Sequence, residues 1–295
     1  MVPWRKTLRR LDGAYSEHTL RSYRSDFGAF LRWCRKKRLK ALPAASTTIV
    51  SYIDAEGMRL KPNTVKRRLC ALRRIHHLCD LGDPTQSEEV QLAMRRVRRA
   101  QPSRPKQAHG VTASLRDQLL AVCGDDLIGL RDKVLVSVGF DTLCRRGELV
   151  ALSIDDFSPT SDGRYTVLVR RAKNDPEGAG RTAKLSKASS DLFRRWLKEA
   201  GISRGPLLRP VYGERVRALY LEPLIVGRVL KKLCDRAGID ALMSERVSGH
   251  SLRVGAAQQL TINGFGLPQI MRAGGWKSVN VVARYIEHVD LDVWK

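Results

Sequence analysis

Between Ala100 and Gly110 the chain passes two prolines, Pro102 and Pro105, with no apolar periodicity, a break that divides it into two separately folded parts. At 295 residues and 43% hydrophobic content, each part is long enough to bury a core of its own. The expected organisation is a first domain over residues 1–99, a linker over 100–110 and a second domain over 111–295. The linker carries Arg104, Lys106 and His109. A basic strand between two basic domains suits a clamp closing round a duplex, and an ordinary solvated loop is the alternative.

Before the break the pattern is helical throughout. Residues 16–40 read as a helix with Ser16 as N-cap, because Leu20, Tyr23, Phe27, Phe30, Leu31 and Cys34 recur at three-to-four spacing. Thr47 or Thr48 opens a second helix through Ile53, and Asn63 caps a third with Val65, Leu69, Leu72, Ile75 and Cys79 as its apolar stripe. Lys66, Arg67, Arg73 and Arg74 fall off that stripe, so one side offers cations. A fourth helix from Ser87 ends in a run containing Arg95, Arg96, Arg98 and Arg99.

The charge of this part names a class of partner. Residues 1–110 hold 25 Lys and Arg against 9 Asp and Glu, within a whole-chain net charge of +24. An excess of this size on a chain that can fold points to a polyanion, with phosphate contacts and counterion release supplying affinity. Composition leaves DNA and RNA open. No apolar run is long enough for a membrane span or secretory signal, so a cytoplasmic protein without a membrane partner is expected. The six scattered cysteines form no C-x-x-C pair and are expected to be buried free thiols. His76, His77 and Cys79 are the one tight group of metal-ligand types, and their helical spacing favours packing; no metal is expected.

After the break, helical patterns occupy 112–123, 127–143, 189–200, 221–237, 250–263 and 278–289. Two strand-like runs, 164–169 and 181–185, flank the turn-rich stretch around Asn174 and Pro176. The fold class is therefore mainly α: a small all-helical domain, a basic linker, and a larger mostly helical domain carrying a small antiparallel sheet.

Candidate chemistry lies in the second part. His250 and Arg253 stand three apart, so both can reach one small anion. Trp276 follows the histidine by 26 positions and Tyr285 comes nine later; upstream, Arg145 and Glu148 sit near the end of an apolar helix, with Lys173 28 residues after Arg145. Each has a structural reading too. Val281, Val282, Tyr285, Ile286 and Val289 form an apolar stripe behind Ser278, and a tyrosine there can simply pack its ring. The two readings coexist, since a nucleophilic phenol needs a fixed ring.

Taken in order and spacing, Arg145, Glu148, Lys173, His250, Arg253, Trp276 and Tyr285 resemble the active-site pattern of the tyrosine recombinases (the phage integrase family). The stretch from His250 to Ala257 and that from Gln269 to Trp276 are similar to the Cre type in particular, where tryptophan replaces the histidine of many relatives. The likeness extends to Ser16-Glu17-His18-Thr19 and to Met94-Arg95-Arg96-Val97-Arg98, covering nearly the whole chain.

The resemblance implies a DNA-binding first domain and a catalytic second domain. It implies that Tyr285 attacks a scissile phosphate to give a 3′-phosphotyrosyl enzyme, while Arg145, Arg253 and the Trp276 N–H stabilise the five-coordinate transition state. His250 would relay the phenolic proton, Lys173 would protonate the leaving 5′ oxygen, and Glu148 would orient the cations. No cofactor is implied, because one phosphodiester is exchanged for an ester of similar energy; the sequence contains no G-x-x-x-x-G-K-[ST] or H-E-x-x-H motif. The implied partner is double-stranded DNA bearing inverted repeats, bound by a homodimer at one site and a homotetramer at the synapse. Lys66, Arg67, Arg73, Arg74, Arg95, Arg96, Arg98, Arg99, Arg104 and Lys106 would contact it. A type IB topoisomerase-like strand transferase and a catalytically silent DNA-binding protein are the alternatives. Ten residues follow Tyr285, fewer than the tail usual in the Cre type, and Leu291, Val293 and Trp294 would form any short docking element.

Overall fold

The computed structural model describes residues 4–101, 107–170, 180–287 and 289. The chain forms two compact units, Met1–Pro105 and Lys106–Lys295. The architecture is mainly helical with two small antiparallel sheets. No described helix is long and apolar enough to cross a membrane.

The first unit contains α1 (Trp4–Thr7), a 3-10 turn (Leu8–Leu11), α2 (Glu17–Lys37), α3 (Ser46–Gly57), α4 (Pro62–Leu78) and α5 (Glu88–Ala100). Ser16 caps α2 as expected, and Ser87 caps α5 in the same way, their hydroxyls accepting from the backbone N–H of Thr19 and Val90. Other boundaries differ from the sequence reading. Helix α4 starts before Asn63 because Pro62 occupies its first turn, where a missing N–H costs nothing. Helix α3 starts at Ser46 and runs past Ile53 to Gly57, which packs on α5; a β-carbon at Gly57 would lie 2.5 Å from Val97. The short α1 and its 3-10 turn add Trp4, Leu8 and Leu11 to the core, with Trp4 edge-on to Phe27 at 4.9 Å.

Cysteine burial is incomplete. Cys34, Cys123, Cys144 and Cys234 are buried, but Cys70 is exposed and Cys79 half-buried, because Cys70 lies on the outer face of α4. His76 is fully buried: its Nε2 accepts from the Ala44 N–H at 3.1 Å and its Nδ1 lies 2.8 Å from the Leu72 carbonyl, so both ring nitrogens are engaged in packing.

The second unit contains α6 (Ala113–Ala121), α7 (Leu127–Thr142), α8 (Arg146–Val150), β1 (Phe157–Pro159), β2 (Tyr165–Val169), β3 (Arg181–Lys184), α9 (Lys187–Glu199), β4 (Val211–Tyr212), β5 (Arg215–Val216), α10 (Pro223–Arg236), α11 (Ala241–Arg246), α12 (Ser251–Ile262), α13 (Leu267–Gly274) and α14 (Val279–Ile286). The main sheet has three strands in the order β1-β2-β3, with Val167 paired to both Phe157 and Ala183. The sequence reading missed β1, which is three residues long and largely exposed, and the β4–β5 hairpin. It also missed α8, α11 and α13, each too short to repeat an apolar period more than about twice.

Helices α7 and α12 form the centre of this unit. Both are buried on nearly every side, and the chain from Val111 runs so close to α12 that a β-carbon at Gly255 would clash with the Val111 carbonyl. The stretch read as linker is therefore not solvated to its end: the His109 N–H donates to Arg246 and the Val111 N–H to Ser251.

Candidate active site

The site assembles where three helix ends meet. Helix α7 ends at Leu143, whose left-handed conformation (φ 51°) turns the chain so that Arg145 becomes the N-cap of α8. Arg145 thus opens a short helix, where the sequence suggested the end of a long one. Glu148, at the third position of α8, accepts from the Arg145 backbone N–H at 3.0 Å and from its Nη1 at 2.6 Å. The carboxylate is 6% exposed, so it fixes the backbone and guanidinium of Arg145 together.

His250 and Arg253 come from the start of α12. His250 is the N-cap residue, just outside the helix proper, and its Nε2 lies 2.6 Å from the Tyr285 hydroxyl. Burial, followed by the nearby Arg253 and Arg145 charges, lowers its pKa to about 4. The imidazole is therefore neutral at physiological pH, and a neutral Nε2 can accept the phenolic proton.

That shift carries a stability consequence. The unfolded chain takes up a proton on this histidine near pH 6.5, whereas the folded site resists until about 4. The contribution is present above pH 6.5 and is lost as the pH falls toward 4, about 3 kcal/mol in all. In urea unfolding between pH 7 and 4, wild type should lose stability relative to His250→Asn as the pH drops; a difference that stays constant would contradict the assignment.

Arg253 is 1% exposed. One Nη donates to the Leu143 carbonyl and the other to the Gly274 carbonyl at 2.8 Å, so it bridges the ends of α7 and α13. Its guanidinium lies over the Trp276 ring, 4.1 Å from the centroid, and its buried Nε has no hydrogen-bond partner among the described residues. Burial, then the Arg145 charge, lowers its pKa to about 10, which still leaves it charged at neutral pH.

The two glycines before Trp276 are needed for this packing. Gly275 caps α13 in the left-handed region (φ 66°), and a β-carbon at Gly274 would clash with the indole. Trp276 is 7% exposed and stands edge-on to Tyr285 with centroids 5.8 Å apart. The stripe behind Tyr285 is narrower than expected: Val282 is buried and Ile286 half-buried, but Val281 is exposed, and α14 ends at Ile286 rather than reaching Val289.

Five of the six expected catalytic residues, Arg145, His250, Arg253, Trp276 and Tyr285, thus converge with Glu148. Lys173 lies outside the described residues, as do Arg104, Lys106, Leu291, Val293 and Trp294. Sequence reasoning overlooked Arg181, on β3. Its guanidinium donates to the Thr142 carbonyl and to the Ala273 carbonyl at 2.9 Å, the two immediately preceding those held by Arg253. Two arginines therefore bridge the same pair of helix ends. A strand arginine beside a hairpin gives no such signal in sequence, because the contacts span 39 and 92 residues.

In the first unit, Lys66, Arg67, Arg73, Arg95, Arg96, Arg98 and Arg99 are exposed and Arg74 is half-buried. Lys66, Arg73, Arg95 and Arg98 line one cleft between α4 and α5. Several of these cations are held from within. Arg67 makes a bidentate pair with the buried Asp26, both bonds at 2.8 Å, Arg73 pairs with Asp83 at 2.8 Å, and Arg74 donates to the Tyr15 hydroxyl.

The fold and this cluster define a tyrosine recombinase, and the chain belongs to the phage integrase family: residues 111–291 match that family and residues 6–79 match its N-terminal SAM-like domain. Among its relatives, the integrase/recombinase xerD homolog of Selenomonas ruminantium is 31% identical, over 96% of this chain and 85% of its own length. Recombinase cre of Escherichia phage P1 is 29% identical, over 94% and 86%. The fold matches the Tn1549 transposon integrase, solved with transposon right end DNA, with a TM-score of 0.66 over 97% of this chain and 94% of that one at 13% identity.

Proposed function

We propose that this protein is a site-specific DNA recombinase that cuts and rejoins DNA through a tyrosyl intermediate. The observation that carries the reading is the 2.6 Å bond between the Tyr285 hydroxyl and the Nε2 of a half-buried, neutral His250. A protonated phenol is a poor nucleophile, and a base already in contact removes the proton as attack begins. Tyr285 would attack a backbone phosphorus in line, forming a 3′-phosphotyrosine and expelling a 5′-hydroxyl. Lys173 is the proposed donor to that departing oxygen.

The cations around the phenol suit the charge that develops. Arg145 and Arg253 would bind the non-bridging oxygens, and Arg253 holds a buried Nε–H in reserve for one of them. Glu148 keeps Arg145 in place, and Trp276 supports the Arg253 guanidinium, with its indole N–H as a further donor to phosphate. The bond energy is kept in the phosphotyrosyl ester, so the 5′-hydroxyl of a partner strand can reverse the step without nucleotide. The relatives named recombinase and the structural match solved with DNA support double-stranded DNA as substrate. By the same likeness, two subunits would occupy an inverted-repeat site and four would exchange strands through a Holliday junction. The exposed arginines of α4 and α5 are the proposed duplex contacts of the first unit.

The test is a suicide duplex carrying the inverted repeats that flank the gene, nicked near the cut and incubated in EDTA. A covalent protein–DNA band is expected on a denaturing gel, and it should vanish in Tyr285→Phe. Tight binding with no adduct on any repeat would support a silent DNA-binding protein instead.

A further inference from the structure

Tyr285 is gripped at its backbone as well as at its hydroxyl. Its carbonyl belongs to the last turn of α14, where helix carbonyls lack intrahelical partners. Two side-chain amides converge on it: Gln258 Nε2 and Gln107 Nε2 each donate at 3.1 Å. Gln258 lies on α12, the helix that His250 precedes as N-cap and that carries Arg253. One helix therefore holds both ends of Tyr285, with the base at the phenol and an amide at the carbonyl.

The second amide comes from a different place. Gln107 is separated from Tyr285 by 178 residues and stands where the chain enters the second unit, just before the His109 and Val111 backbone bonds tie that segment to Arg246 and Ser251. Gly110 makes room for the arrangement, since a β-carbon there would clash with the Gln258 amide.

We infer that Gln258 and Gln107 are positioning residues for the nucleophile, which set the rate of strand cleavage by holding the last turn of α14 against the end of α12. The inference rests on the reading of Tyr285 as nucleophile. It links the entering segment to catalysis, because any shift of Gln107 changes the support of the attacking residue. Since in-line attack depends on sub-ångström placement, loss of one amide should slow cleavage about tenfold and loss of both about a hundredfold.

The experiment compares wild type, Gln258→Met, Gln107→Met, the double variant and Gln258→Arg in single-turnover cleavage of the nicked duplex, with half-site affinity measured in parallel. Methionine keeps the volume but cannot donate, whereas arginine keeps a donor. The expected result is slower cleavage in the methionine variants with affinity within about twofold, and recovery to within about threefold in Gln258→Arg. Wild-type rates in the double variant would overturn the inference, as would parallel losses of rate and affinity, which mark a merely structural role. Tyr285→Phe is run alongside. If it still forms an adduct, the underlying reading falls; if it forms none while the methionine variants cleave normally, this inference alone falls.

Discussion

Arg253→Ala is expected to abolish detectable strand cleavage and to destabilise the second unit by about 3–5 kcal/mol. The size follows from what the guanidinium does. It satisfies carbonyls at the ends of two helices and lies against the Trp276 ring while itself only 1% exposed. Removing it leaves both carbonyls without that donor and opens a cavity under the indole. A melting temperature about 10 °C lower would be the signature, given the few degrees that each kcal/mol moves a unit of this size. Arg253→Lys should fall between, since an ammonium keeps the charge but cannot bridge both carbonyls while presenting an Nε–H to phosphate. An unchanged melting temperature with cleavage lost would show that water replaces the guanidinium and that the residue serves the chemistry alone.

His250→Ala is expected to slow formation of the covalent adduct by about 10²–10⁴-fold, the range associated with loss of a positioned general base. The distinguishing measurement is the pH profile. In wild type the depressed pKa keeps the imidazole neutral across the acidic side of neutrality, so cleavage should persist well below pH 6.5. In the alanine variant hydroxide or water must take the proton, and the residual rate should climb steadily toward high pH. A flat residual profile, or a loss under tenfold, would assign the histidine to holding the phenol's position rather than to proton transfer.

The helical faces that bury aromatic and aliphatic stripes were legible before the structure. In α2, α4 and α5 an alternation of apolar and charged residues at helical spacing marks both the core and the exposed cations, and the hydroxyls of Ser16 and Ser87 mark where two of them start. Local steric and solvation rules decide such features, so a short window suffices. Helices α8, α11 and α13 were not visible, because five to eight residues repeat the period too few times to be counted, and their placement depends on what they pack against. The β1 strand escaped for a related reason: its pairing with β2, rather than its own side chains, makes it a strand.

For the site, the residue types, order and spacing of Arg145, Glu148, His250, Arg253, Trp276 and Tyr285 came from the sequence by resemblance, since no local rule singles them out among 38 arginines and six histidines. The sequence by itself determined that two helical units form, that the first is strongly basic, and that one family's set of reactive side chains is present. Only the tertiary structure decided which of them touch: that His250 Nε2 lies against the Tyr285 hydroxyl, that Arg181 and Arg253 bridge the same two helix ends, and that Gln107 and Gln258 share the Tyr285 carbonyl. The reason is physical. Periodicity is a property of neighbours along the chain, whereas burial, pKa and hydrogen-bond partnership depend on groups up to 178 residues apart, brought together by packing of the whole unit.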